Sequence, residues 1–173
     1  LLILLPMALC ADARLDGANL IGDPTEGALI VLAEKGGISV EGARQMYPRI
    51  AEVPFDSDYK FMATFHNMTD EQGKPVVRCF VKGAPDVLIA RSRSLWTPEG
   101  GVLVGTTEQG RLGIAENERM AKAGERVMVV ARRDFDPATF DPKGPAGDGR
   151  LIDLVTDLTF LAMVGIVDPP RAE

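Results

Sequence analysis

The spacing of apolar residues changes period several times along the chain, and each change marks an element. Leu1 to Asp12 is mostly apolar and predicts a helix, followed by a polar loop at Ala13 to Asn19. Gly22-Asp23-Pro24-Thr25 is a helix start. Asp23 can accept from the first N–H groups, Pro24 has a φ suited to the first turn, and Glu26 favours the positive end of the helix dipole. The helix is expected over Thr25 to Lys35, with Ala28, Leu29, Val31 and Leu32 as its apolar face and Gly36-Gly37 as its stop. A short helix is expected over Val40 to Met46, broken at Tyr47-Pro48.

The period then shortens to two. Ile50 to Pro54 predicts a strand, and Phe55 to Tyr59 a polar turn with one aromatic at its edge. Lys60 to Met68 predicts a second strand, with Phe61, Ala63 and Phe65 on one face and Met62 and Thr64 on the other. Asp70 to Lys74 is a hairpin loop, and Val76 to Val81, rich in β-branched and aromatic residues, is its partner strand. A helix from Pro85 to Arg91 follows. Trp96 to Val104 reads mostly as loop. A helix from about Thr107 to Ala123 is expected, capped by Thr106 or Thr107, with a face of Leu112, Ile114, Ala115 and Met120. Arg126 to Arg132 predicts a strand. Asp134 to Arg150 carries a small Phe-Asp-Pro repeat and predicts a mobile surface loop. Leu158 to Val167 is a last apolar strand.

Hairpin strands and helices without βαβ alternation favour an α+β fold, an antiparallel β-sheet flanked by helices. No internal domain boundary is evident, so residues 1–173 read as one domain. With 46% hydrophobic and 25% charged residues the composition is that of a soluble globular protein. A net charge of −6 argues against broad nucleic-acid binding, which needs a basic face, but leaves room for one phosphate ligand held by local cations. Cys10 and Cys79 lack metal-ligand or redox spacing and are expected as buried free thiols. The lone histidine, His66, is expected to be satisfied within the fold or at the surface, not catalytic. The apolar start is too short to span a bilayer and lacks a basic leader region. Both ends open and close abruptly, which suggests a piece of a longer chain.

The chemistry concentrates at Phe80-Val81-Lys82-Gly83-Ala84-Pro85-Asp86, where a strand ends and a helix begins. Lys82 offers a mobile cation, and Gly83 permits close approach of a ligand to the backbone. Together they make a wall for an anionic ligand with a flat part; the alternative is a turn with an exposed lysine. Other candidates fail. Gly73-Lys74 lacks the upstream glycine of a phosphate-binding loop and is followed by Pro75. Asp134-x-Asp136 begins like a calcium loop but has Ala138 at the fifth position and no glycine at the sixth.

Further stretches occur in order: Gly22-Asp23-Pro24-Thr25-Glu26-Gly27-Ala28-Leu29, Pro54-Phe55-Asp56-Ser57-Asp58-Tyr59-Lys60-Phe61-Met62, Val81-Lys82-Gly83-Ala84-Pro85 and Gly124-Glu125-Arg126-Val127-Met128, then Asp157-Leu158-Thr159-Phe160 and Gly165 through Arg171. This set resembles the nucleotide-binding domain of P-type cation-transporting ATPases, most closely the calcium-pump-like branch. The opening Ala8-Leu9-Cys10-Ala11-Asp12-Ala13 is also similar, with Ala11 where that family usually has Asn.

The resemblance implies a role for each matching residue. Phe55 would stack on adenine, and Glu26 would accept from its amino group. Lys82 would lie deep beneath the base and Lys60 nearer the mouth. Gly83 would leave room for the ring, Met62 and Met128 would form apolar wall, and Arg126 would reach ribose or phosphates. Each has a plainer alternative: core phenylalanine, helix-start carboxylate, solvated lysines, core methionines. Two positions depart from the pattern. Asp86 stands where the family usually has Glu, and Tyr59 where many relatives carry a basic residue, which would weaken phosphate contacts.

The implied ligands are ATP, as Mg-ATP, and ADP. The implied partners are the phosphorylation and actuator domains of the same parent chain, with residues 168–171 as the hinge and Arg171 near the phosphates in a closed state. The chain lacks the Asp-Lys-Thr-Gly-Thr phosphorylation motif, the magnesium-binding aspartates and every membrane helix of that family. The expectation is therefore a monomeric ATP-binding piece on the cytoplasmic side of the cell membrane, without nucleic-acid or direct membrane contact, which binds ATP without hydrolysing it. Two rivals stand beside it. A docking or regulatory domain with a degenerate nucleotide site predicts a buried Phe55 and a Lys82 paired with a carboxylate. A stand-alone phosphotransferase would need a nucleophile and metal carboxylates that the sequence does not offer.

Overall fold

The computed structural model describes residues 2–99, 101–145, 147 and 149–167. In chain order the elements are α1 (Leu4–Leu9), β1 (Arg14–Asp16), β2 (Asn19–Ile21), α2 (Pro24–Lys35), α3 (Val40–Met46), β3 (Arg49–Val53), β4 (Phe61–Thr69), β5 (Pro75–Gly83), α4 (Pro85–Arg91), β6 (Ser92–Trp96), β7 (Val102–Val104), α5 (Thr107–Lys122), β8 (Glu125–Phe135), a 3-10 turn (Leu151–Leu154) and β9 (Leu158–Val167). The hinge read at Asp168 to Arg171 lies outside the described residues.

Seven strands form one sheet in the order β3-β4-β5-β8-β9-β6-β7. Neighbours pair antiparallel except β6 with β9, which run parallel. The α+β fold read from the sequence is the observed one. At its centre is the β4–β5 hairpin, in register from Phe61↔Gly83 to Thr69↔Pro75. Its turn is closed by Asp70, whose Oδ1 accepts from the N–H groups of Gln72 and Lys74 at 2.9 and 2.8 Å.

Helices cover both faces of the sheet, so alternate residues of one strand enter different cores. Phe61, Ala63 and Phe65 pack with Val81, Leu88 and Val129 in one. Met62 packs with Phe80, Val130 and Leu161 in the other, together with residues of α1, α2 and α3. The expected two faces of β4 are therefore both buried. His66, also fully buried, lies 2.8 Å through Nδ1 from the Tyr47 carbonyl and 2.9 Å through Nε2 from the Thr64 hydroxyl. A carbonyl only accepts, so Nδ1 donates and Nε2 accepts from Thr64. His66 is the satisfied histidine the sequence suggests. Cys10 and Cys79 are buried free thiols, as expected.

Several expectations are corrected. Helix α1 stops at Leu9, because the chain turns at Cys10 and its later carbonyls are taken by arginines from outside the helix. The expected loop at Ala13 to Asn19 is the β1–β2 hairpin, turned at Gly17 (φ +60°). Helix α2 buries Gly27, Leu29, Ile30 and Ala33, not Ala28, Val31 and Leu32. Its face is rotated because Leu20 of β2 packs directly over Gly27, where a Cβ would come within 2.3 Å. Trp96 to Val104 is not mostly loop but the β6–β7 hairpin, closed by Thr97 N–H on the Gly101 carbonyl at 2.8 Å.

Helix α5 starts at a capping box of Thr106 and Gln109 but buries none of its residues. Leu112 and Ile114 are 61% and 45% exposed. The helix instead rests its glycines on α4, with Ile89 Cδ1 3.1 Å from the Cβ position of Gly113. The Phe-Asp-Pro repeat is not a free loop either. Phe135 ends β8, and its ring and that of Phe140 pack on Phe65 at centroid distances of 6.2 and 5.2 Å.

Candidate functional site

Lys82 stands on β5 between Met62 of β4 and Val130 of β8, and its side chain points into the α1–α2 face with 4% exposure. An ammonium so buried needs a partner. Glu26, in the first turn of α2, supplies it: the two form an ion pair. Helix α2 is fixed at this end by its N-cap, where Asp23 Oδ1 accepts from Thr25 N–H at 2.7 Å and Glu26 N–H at 3.2 Å. Glu26 also ties down the loop after α1. Its Oε1 accepts from the N–H groups of Asp12 and Ala13, each at 3.1 Å.

That loop is held from the opposite side by two arginines. Arg44 donates to the carbonyls of Ala8 (3.0 Å) and Ala11 (3.1 Å). Arg49 donates to Ala11 O at 2.7 Å and pairs with Asp12 at 2.7 Å and Glu52 at 3.0 Å. Cys10, behind the pair, gives its thiol hydrogen to Met62 O at 3.4 Å. Burial pushes that thiol above its usual range, with Lys82 pulling the other way.

The mouth is formed by the turn between β3 and β4. Tyr59 folds its hydroxyl back onto the Pro54 carbonyl at 2.6 Å and packs its ring on Phe61 at 4.9 Å. Lys60 adopts φ +61°, a conformation rare for lysine; its N–H reaches Asp56 O at 2.7 Å and its carbonyl accepts from Ala84 N–H at 3.0 Å. The turn so braced leaves Phe55 62% exposed. A large aromatic in water has gained nothing from burial, so a core role for Phe55 is excluded.

Between mouth and ion pair lies a cavity of about 450 Å³. Glu26, Phe55, Lys60, Met62, Lys82, Gly83, Arg126 and Met128, every residue singled out in the sequence, line it. Phe55 and Lys60 are exposed, Met62 and Lys82 buried, and Arg126 at the rim donates to the Thr25 hydroxyl. Asp12, Asp23, Thr25, Ala84 and Val127 line it too and were not singled out as ligand contacts. For Asp23 and Thr25 the signal is in the helix-start motif; Asp12 falls in the family-like opening Ala8 to Ala13, to which no ligand role is attached, because the α1–β1 loop reaches the site through tertiary contacts.

One implied role looks different in the structure. A Cβ on Gly83 would meet Lys60 O at 2.5 Å and Phe61 Cβ at 2.6 Å, so this glycine lets the turn approach β5. Glu26 already accepts from two backbone N–H groups and an ammonium, three donors against the about four lone-pair sites of a carboxylate, so it keeps room for one more donor. Tyr59 is turned onto its own loop. Of the two features the docking-domain rival requires, the Lys82 ion pair is present and the buried Phe55 is not.

The family model described as P-type ATPase, cytoplasmic domain N, matches residues 3–173. This chain belongs to that family. Relatives of the N domain agree. A cation-transporting ATPase, pma1, of Synechocystis is 38% identical over 98% of this chain and 18% of its own length. The calcium-transporting ATPase type 2C member 1 of Homo sapiens is 38% identical over 94% of this chain and 15% of its own. The calcium-transporting ATPase 1 of Lactococcus lactis is 34% identical over 98% and 18%. The N-domain chain thus spans less than a fifth of the length of these curated relatives. Among the described residues no helix is long and apolar enough to cross a membrane, and no cluster of His, Cys, Asp or Glu could hold a metal ion.

Proposed function

We propose that residues 1–173 are one nucleotide-binding domain that takes up ATP in the Lys82 cavity and presents its γ-phosphate to the aspartate of a separate phosphorylation domain. The observation that carries this reading is the exposed Phe55 ring at the mouth of a cavity whose closed end is polar. A flat aromatic base gains about 1–3 kcal/mol by stacking on such a ring. The apolar wall of Met62 and Met128 suits the base, and the cations Lys60 and Arg126 suit ribose and phosphates on the solvent side.

In this role the domain supplies position, which accounts for much of phosphoryl-transfer catalysis. Magnesium, bound with the phosphates as Mg-ATP, would take its protein ligands from the phosphorylation domain. ADP would occupy the same cavity. The parent chain would be a cation pump, with the names of the relatives favouring calcium, and this domain would sit on the cytoplasmic side of the cell membrane, next to the phosphorylation and actuator domains. As an isolated piece it would be a monomer.

Because base and ribose contacts act without the phosphorylation domain, affinity should be modest, with a dissociation constant on the order of 0.1–1 mM. Calorimetric titration with ATP tests this: saturable binding lost in Phe55→Ala supports it, and no binding at several millimolar ATP contradicts it. The Lys82–Glu26 ion pair favours a second reading, a docking domain with a degenerate site. That reading requires the same titration to be blank in the unsubstituted protein.

A further inference from the structure

The Phe55 ring is mostly exposed, so burial contributes little to fixing it, and the backbone on either side must do so. Before it, the chain is anchored at Val53 of β3, which pairs with Ala63 of β4. After it, the turn is tied to itself: Asp56 Oδ1 accepts from Asp58 N–H at 2.7 Å, and Asp56 O from Lys60 N–H at 2.7 Å. Tyr59 reaches back across Phe55, and its hydroxyl donates to the Pro54 carbonyl at 2.6 Å. That carbonyl belongs to the planar peptide unit that also carries the Phe55 nitrogen, so the bond sets the plane from which the Phe55 side chain departs. The hydroxyl is itself held from the core. The Tyr59 ring packs on Phe61 with centroids 4.9 Å apart, and Phe61 is fully buried. Arg91 stacks on the Phe61 ring at 4.8 Å while donating to Val155 O at 2.7 Å.

We propose that Tyr59 is the positioning residue for the stacking ring: its hydroxyl, anchored through Phe61, holds the Pro54–Phe55 peptide so that Phe55 meets the flat face of the nucleotide base in one orientation. The inference rests on the nucleotide reading above. Tyr59 is not among the residues that line the cavity, and it acts through Phe55. A ring held in place before the ligand arrives loses less freedom on binding than one that must be ordered by it, so the brace raises affinity without adding a contact. Because the hydroxyl is committed to the turn, its effect falls on base stacking and is the same whether or not the ligand carries phosphates.

The test is titration with ATP and with adenosine, which carries no phosphate, on the unsubstituted chain, Tyr59→Phe and Asp56→Ala. Binding is followed by calorimetry and by the adenine H2 and H8 signals in NMR, with thermal melts confirming folding. Tyr59→Phe keeps the ring on Phe61 and removes only the hydroxyl. It should weaken ATP and adenosine alike, about fivefold, and shrink the upfield ring-current shift of the adenine protons at saturation. Asp56→Ala, which cuts a tie beyond Phe55, should leave adenosine affinity and that shift as they are. Unchanged affinity and shift in Tyr59→Phe, whatever its melting temperature, overturn the proposal, because the bond then serves stability alone. A loss for ATP that spares adenosine overturns it as well, since that pattern puts Tyr59 at the phosphates. So does an equal loss in Asp56→Ala, which any loosening of the turn would then produce. A blank titration of the unsubstituted chain with both ligands overturns the nucleotide reading, and this inference with it; binding by the unsubstituted chain that Tyr59→Phe leaves intact overturns this inference alone.

Discussion

Lys82 on β5 and Glu26 on α2 form an ion pair across the interface between the sheet and its helices, with side chains 4% and 16% exposed. The pair joins elements 56 residues apart and closes the inner end of the cavity. Glu26 also carries the loop at Asp12 and Ala13, so one carboxylate ties together sheet, helix and loop.

Removing Glu26 strands a buried ammonium and two backbone N–H groups. Loss of one partner from a buried pair costs about 3–5 kcal/mol. Glu26→Ala should therefore lower the free energy of urea unfolding by about 3 kcal/mol. A loss below about 1 kcal/mol would show that water reaches Lys82 and replaces its partner.

Gly83→Ala should be costly for a different reason. The added methyl meets the Lys60 carbonyl and the Phe61 Cβ, both closer than 3.0 Å and both on one strand or its entry turn. Neither is the end of a flexible side chain, so strand β4 must shift. We expect about 1–3 kcal/mol of destabilisation and perturbed amide signals from Asp56 to Met62. A variant as stable as the parent would mean that the turn moves freely.

The pH dependence between neutral and mildly acidic conditions should be set by His66. Burial lowers its pKa below the usual 6.5, with the Tyr47 carbonyl opposing in part and the Arg49 charge adding to the effect. The folded state thus holds the proton less tightly than the unfolded state. Stability is complete above about pH 6.5 and falls as pH drops toward the folded value. Carboxylates with lowered pKa, such as Glu71, respond only at more acidic pH. Chemical denaturation at pH 7, 6 and 5 should show this loss, and His66→Gln should flatten it; an equal slope in both proteins would remove the attribution.

How much of this was legible in the sequence depends on where each feature gets its energy. Helix α2, the β4–β5 hairpin and helix α4 carry their own signals: the Asp23 cap, the Asp70 turn and Pro85 at the first helical position. Helix α5 was found but its buried face was misjudged. The sequence shows Leu112 and Ile114 as apolar, whereas the packing uses Gly110 and Gly113, whose small size admits Ile89. The cavity residues were legible through the motif resemblance, and the structure brings them together. What periodicity could not show were links across the fold: Arg49 to Asp12, Glu26 to Asp12 and Ala13, and Tyr59 to Pro54, because partners separated by many residues, or by a turn of unknown shape, leave no local pattern.

The isolated chain should not turn over ATP. On the proposed reading the aspartate that accepts the γ-phosphate and the protein ligands of magnesium belong to the separate phosphorylation domain. Phosphate release with Mg-ATP should match that of Phe55→Ala. A rate well above that control would place a nucleophile or metal site within these residues.

An amide NMR titration with ATP, repeated on Phe55→Ala, measures the nucleotide reading at its source. The reading predicts saturable shifts clustered on Asp12, Glu26, Phe55, Lys82 and Arg126, larger with ATP than with GTP and abolished when the Phe55 ring is removed. Spectra unchanged at several millimolar ATP, or shifts that cluster elsewhere and survive Phe55→Ala, would contradict it.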